Sequence, residues 1–221
     1  MGSSEFRRYS LLDSLICEVD RALNNISCEQ PSSRNYPAEP PSTGAAKPPS
    51  LSAQQKRLAA GLMRVNHAGE VSAQALYQGQ SLTARDPDLR TRLSRASIEE
   101  SDHLNWCRRR LNELGEKPSQ LDPLWYLGSL AIGMAAGIAG DRWNLGFLAE
   151  TEYQVARHLD DHLHRLPKHD ARSRRILRQM KKDELGHAHL AESLGAARLP
   201  DAVKIMMKFT SRVMTTIAER I

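Results

Sequence analysis

Glu100-x-x-His103 and Glu184-x-x-His187 are the residues of this 221-residue chain whose types and spacing point most directly to chemistry. A helix turns about 100° per residue, so positions three apart lie about 60° from each other, and an oxygen and an imidazole nitrogen can reach one ion. Glu100 has Leu93, Ala96, Leu104, Cys107 and Leu111 at helical spacing, and Glu184 has Leu177, Met180, Ala188 and Ala191. Both carboxylates therefore stand on apolar stripes that should face a core. Glu152, with Val155, Ala156, Leu159 and Leu163 around it, is a third. Glu70 has a mixed face of Met63, Asn66, His67, Ala73, Gln74 and Tyr77, but Gly69 beside it permits close approach by another helix or a ligand. Burying a carboxylate is costly unless it is paired or bound to metal. Two Glu-x-x-His pairs plus one Glu from each of two further helices form the donor set of a di-iron or di-manganese carboxylate bundle. Oxygen and imidazole donors without thiolate suit iron or manganese better than copper(I) or structural zinc. The candidate metal ligands, and through the metals the candidate catalytic residues, are Glu70, Glu100, His103, Glu152, Glu184 and His187.

The remaining polar residues near these stripes have plainer readings. His67, one turn before Glu70, reads as a hydrogen-bonded core histidine in preference to a ligand. His158 falls roughly 240° around the helix from Glu152 and cannot share its face, which leaves it a role behind the ligands or on the substrate side. His162, His164, His169 and His189 read as surface residues, Glu99 as solvated beside Arg92, Arg95 and Arg110, and Tyr77 as packing in preference to a channel wall.

Helices must position these groups. The apolar period is 3.6 nearly throughout and strand-like alternation is missing, so the domain is predicted to be all-α. Breaks at Asp86-Pro87-Asp88, Leu114-Gly115, Pro167 and Leu199-Pro200 predict helices over roughly 52–84, 88–114, 122–166 (interrupted at its glycines), 170–195 and 201–221. Ahead of them, residues 1–28 are expected to hold a short amphipathic helix. Residues 29–50, with six of the eleven prolines, are expected to be a flexible linker, and 51–221 the bundle domain.

Two segments suggest a lipid surface. Residues 123–140 carry no charge between Trp125-Tyr126 and Arg142-Trp143, yet the stretch is short for a span and holds four glycines, so an interfacial or buried helix is expected. The last helix aligns Val203, Met206, Phe209, Val213, Ile217 and Ile221, with Lys204, Lys208 and Arg212 elsewhere. The net charge of +5 fits contact with anionic headgroups. Nucleic acid is not expected as a partner, because aromatics are 5% of the chain and none lies within the basic runs at 108–110 and 172–182, which read as solvated helix faces. Three cysteines without a CxxC pair argue against a disulfide framework and for a reducing compartment, and no cleaved targeting segment is read.

"RVNHAGE" at 64–70 followed by "ALYQGQ", "EESDHL" at 99–104, "TEYQVARH" at 151–158 and "KDELGHAH" at 182–189 closely resemble the demethoxyubiquinone hydroxylases of ubiquinone biosynthesis, over about residues 51–221. The resemblance implies a ferritin-like four-helix bundle with a di-iron site and additional membrane-facing helices. It implies that Glu100 and Glu184 bridge two irons, with Glu70 and His103 completing one and Glu152 and His187 the other; His158 matches a histidine the family carries near its site. It further implies hydroxylation of the ring of demethoxyubiquinol by O2, and a peripheral protein drawing a polyprenylated quinone from the membrane. NADH is implied as an electron source through the quinone itself, although no dinucleotide fingerprint is present. The expected location is the cytoplasmic face of a bacterial inner membrane, with the mitochondrial matrix face as alternative, and a homo-oligomer or a biosynthetic complex is open. The rival readings are a ferritin-like iron-handling protein without an organic substrate, which has no use for the charge-free 123–140 face, and a membrane-docking regulatory bundle without metal.

Overall fold

Six helices and no strand are found among the described residues, 33–39 and 50–221, of the computed structural model. They are α1 (Ala53–Thr83), α2 (Pro87–Leu114), α3 (Asp122–Ile138), α4 (Asp141–Arg165), α5 (Ala171–Ser193) and α6 (Asp201–Ala218). The expected helix within 1–28 lies outside the described residues.

Local chemistry sets the boundaries. Ser52 and Gln55 close a capping box at the start of α1, and Asp86 caps α2 with Pro87 in its first turn. Gly115, at φ 71°, ends α2 in the left-handed conformation that glycine adopts without steric cost. The long helix expected at 122–166 is interrupted at one of its glycines: Gly140, at φ 112°, separates α3 from α4 and lets the chain turn back.

The packing puts a polar layer between two apolar ones. One cluster gathers Met63 of α1, Cys107 of α2, Leu159 of α4 and Met180 of α5; the other gathers Tyr77, Leu93, Leu148 and Ala191 of the same four helices. Between the paired positions each helix carries one glutamate: Glu70, Glu100, Glu152 or Glu184. Burial of each large apolar side chain contributes about 1.5–3 kcal/mol, so both sides of the glutamate layer are anchored. α3 lies against α1 at backbone distance, since a Cβ on Gly79 would stand 2.3 Å from Leu130 O and one on Gly133 2.3 Å from Leu76 O. Its other side exposes Leu124, Leu127 and Ile138, and α6 exposes Ile205, Met206 and Phe209. No helix among the described residues is long and apolar enough to cross a membrane.

Two expectations need correction. Residues 33–39 of the expected linker are docked on the bundle, with Tyr36 and Ala38 buried in the first cluster. Nor are the basic runs simply solvated. Arg110 is buried against Asp170, Ser173 and Glu113, Arg172 donates to Ala38 O, and the Arg109 guanidinium lies 4.1 Å over the Tyr36 ring.

Candidate metal centre

The four glutamates converge from the middles of α1, α2, α4 and α5, and all are buried. Two overlapping groups result, each with donor atoms within 4.8 Å of one another: Glu70, Glu100, His103 and Glu184, and Glu152, Glu184 and His187. His103 Nδ1 stands 2.8 Å from Glu100 Oε2, 3.3 Å from Glu184 Oε1 and 3.6 Å from Glu70 Oε2. His187 Nδ1 stands 3.0 Å from Glu100 Oε1 and 3.7 Å from Glu184 Oε2. Glu100 and Glu184 thus each turn one oxygen to either ring. His158 is in neither group; its ring lies 3.9 Å from that of His162.

The donor set fits a pair of cations. Glu70 Oε2 is buried without a hydrogen-bond partner, and Glu100 Oε1 and His187 Nδ1, 3.0 Å apart, have no partner beyond each other, an arrangement that a bound cation would satisfy. The electrostatics carry the same tension. Burial pushes the Glu70 carboxyl well above the usual range, although His103 opposes it, and pushes Glu152 up with Glu184 adding to the effect. Burial would also raise Glu100, yet His103 and His187 outweigh it and hold that carboxyl low. The rings answer in kind: burial disfavours charge on His187, but Glu100 and Glu184 push it up to about 12. In metal-free protein protons occupy places that cations would take, so metal binding should release protons.

Outer partners orient both rings. His103 Nε2 faces Asp183 Oδ2 at 3.0 Å and His187 Nε2 faces Glu99 Oε2 at 3.0 Å, so each ring can donate outward from Nε2 and turns Nδ1 toward the glutamates, where a metal would displace its second proton. Tyr77 donates to Glu152 Oε1 at 2.7 Å, so it does more than pack. Sequence reasoning missed Asp183, which directly precedes Glu184. It read Glu99 as solvated, and Glu99 is indeed exposed, but it reaches His187 across helices.

The run "NHAGE" resolves into three tasks. Asn66 Oδ1 accepts from His162 Nδ1 at 3.0 Å, His67 pairs with Asp122 at 3.2 Å, and Glu70 joins the cluster. His67 is a hydrogen-bonded core residue. His162, expected at the surface, is buried through its bond to Asn66, whereas His164, His169 and His189 are exposed.

Fold and site together define a class: an all-helical bundle with a buried Glu/His cluster of a composition compatible with a di-iron site. The chain belongs to the family described as ubiquinone biosynthesis protein COQ7, which its residues 57–218 match. The 3-demethoxyubiquinol 3-hydroxylase of Chromobacterium violaceum is 54% identical over 211 residues, 96% of this chain and 100% of that protein. The protein of that name from Bordetella avium is 54% identical over the full length of both, and the one from Dechloromonas aromatica is 53% identical over 94% of this chain and 98% of its own.

Proposed function

We propose that this chain is an O2-dependent 3-demethoxyubiquinol 3-hydroxylase, with two irons held by Glu70, Glu100, His103, Glu152, Glu184 and His187 in a ferritin-like bundle. The observation that carries the reading is the pair of overlapping Glu/His groups with Glu184 common to both, in a chain 54% identical end to end to a protein of that name. Bound there, the irons would supply activation of O2. One oxygen atom enters the ring C–H as a hydroxyl and the other leaves as water, with two electrons and two protons consumed; NADH, through the quinone, is the proposed electron source.

The chain's own residues set the rest. Tyr77, Leu89, Leu93, Leu145 and Leu148 line an apolar cleft that ends at His187. The cleft has a volume of about 30 Å³, room for one water, so it must widen for a ring to reach the His187 side of the cluster, where its apolar walls would hold the ring and exclude water. The exposed apolar residues of α3 and α6, with Lys204, Lys208 and Arg212 alongside, suit a peripheral seat on an anionic membrane. A polyprenyl tail could stay in lipid, since moving it into water costs about 0.8 kcal/mol per CH₂. The names of the relatives favour this enzyme over an iron-handling bundle.

The test is aerobic turnover of iron-loaded protein with a short-chain demethoxyubiquinone, NADH and isotopically labelled O2, read by mass spectrometry. One labelled oxygen in the quinone is expected. Unlabelled or unchanged quinone from protein shown to hold iron would contradict the reading.

A further inference from the structure

One contact reaches the cluster from outside the helices. Residues 33–39 precede the segment that matches the family, 57–218, yet Arg34 extends to the outer side of His103. Its Nη1 lies 2.7 Å from Asp183 Oδ2, the atom that faces His103 Nε2 at 3.0 Å. Its Nε lies 3.1 Å from Asp102 Oδ2, and its Nη2 lies 3.1 Å from His103 Nε2. Ser33 adds two donors to Asp102, its backbone N–H to Oδ1 at 2.8 Å and its hydroxyl to Oδ2 at 2.7 Å. The Trp106 ring lies 4.8 Å beneath the guanidinium.

The physical consequence runs inward. Asp102 belongs to α2 and Asp183 to α5, and a buried carboxylate such as Asp102 needs a charged partner. The planar guanidinium fork holds both at fixed spacing, which a flexible ammonium would not do. Asp183 therefore cannot swing away from His103. The ring keeps its proton on Nε2 and its Nδ1 toward Glu70, Glu100 and Glu184. The Arg34 Nη1 and the His103 Nε2–H are both donors and converge on Asp183 Oδ2, so losing Arg34 frees the acceptor that orients the ring.

We propose that Arg34 is a positioning residue for the His103 half of the cluster, and that docking of residues 33–39 is thermodynamically coupled to metal binding in that half. This rests on the metal-centre reading above. Coupling is reciprocal: the docked segment tightens the metal, and the metal tightens the docked segment.

The experiment uses the full chain, titrated anaerobically with Fe(II), and trypsin cleavage at the bond between Arg34 and Asn35. Iron loading is expected to slow that cleavage several-fold. Arg34→Ala should weaken one of the two irons about tenfold to a hundredfold, the size of effect seen when an outer partner of a metal ligand is lost, and leave the other unchanged. Arg34→Lys should fall between. Tyr36→Ala, which touches neither His103 nor its carboxylates, should reproduce the weakening and speed the cleavage. Two irons bound with unaltered affinity in Arg34→Ala and Tyr36→Ala, or cleavage indifferent to iron, would overturn the coupling and leave the metal centre standing. No iron bound by the unsubstituted chain would overturn both.

Discussion

The two halves of the cluster share Glu100 and Glu184, each with one oxygen toward either ring, and differ in their surroundings. His103 is fully buried, faces Asp183 and has the Arg34 guanidinium beyond it, whereas the His187 side chain is 11% exposed, is held by Glu99, itself 58% exposed, and borders the apolar cleft. The same ligand chemistry is thus enclosed on one side and accessible on the other. On the proposed function a substrate ring approaches where the wall is apolar and partly exposed, and a metal is retained best where its ligands cannot move. On the proposed function this difference would give access to the His187 half and anchoring to the His103 half.

Removing what the halves share should break the comparison outright. Glu100→Ala takes an oxygen from each ring at once, so iron should fall toward none per chain and hydroxylation below detection. Retention of one iron, measured by metal analysis, would show that the halves are independent. Tyr77→Phe acts on the accessible half alone. It leaves the buried Glu152 Oε1 without its donor, a loss of about 1–3 kcal/mol for an unsatisfied buried group. That loss should appear as lower stability in urea unfolding, with turnover reduced several-fold through the misplaced Glu152 while both irons remain; loss of an iron would move Tyr77 from access to anchoring.

Smaller effects sharpen the picture from outside the cluster. Phe209→Asp, on the exposed face of α6, should lower binding to anionic vesicles in a flotation assay several-fold. It should change stability by no more than about 0.5 kcal/mol. The smallest effect concerns pH. Burial lowers His158 to about 4, with Asp161 opposing, against an ordinary value of 6.5. Between those values the unfolded chain binds more protons than the folded one, so this contribution is complete above pH 6.5 and is lost as pH falls toward 4. The slope is at most about 1.4 kcal/mol per pH unit. His158→Gln should flatten the acid side of the urea-unfolding stability profile and leave iron content unchanged.

Much of this was legible because the sequence pattern is local. Glu100, Glu152 and Glu184 interrupt apolar stripes, and Gly115 and Gly140 sit where helices must end. Glu70 was less plain because its polar neighbours are themselves buried in cross-helix pairs, Asn66 with His162 and His67 with Asp122. Two polar residues that satisfy each other across helices leave no trace in a one-dimensional hydropathy pattern, which is also why His162 read as surface. Arg34 was hidden by its setting: the stretch 29–50 has the composition of a linker, and its contacts with Asp102 and Asp183 span 68 and 149 residues. The available signals were Tyr36, the lone aromatic among those residues, and acidic residues next to the Glu-x-x-His motifs, Asp102 beside His103 and Asp183 before Glu184.

The most direct measurement is a crystal structure of the iron-loaded chain with anomalous scattering recorded at the iron edge. Two peaks are expected, one among Glu70, Glu100, His103 and Glu184 and one among Glu152, Glu184 and His187, with Glu100 and Glu184 reaching both. A single peak, or iron bound away from these six side chains, would contradict the dimetal centre on which the hydroxylase reading depends.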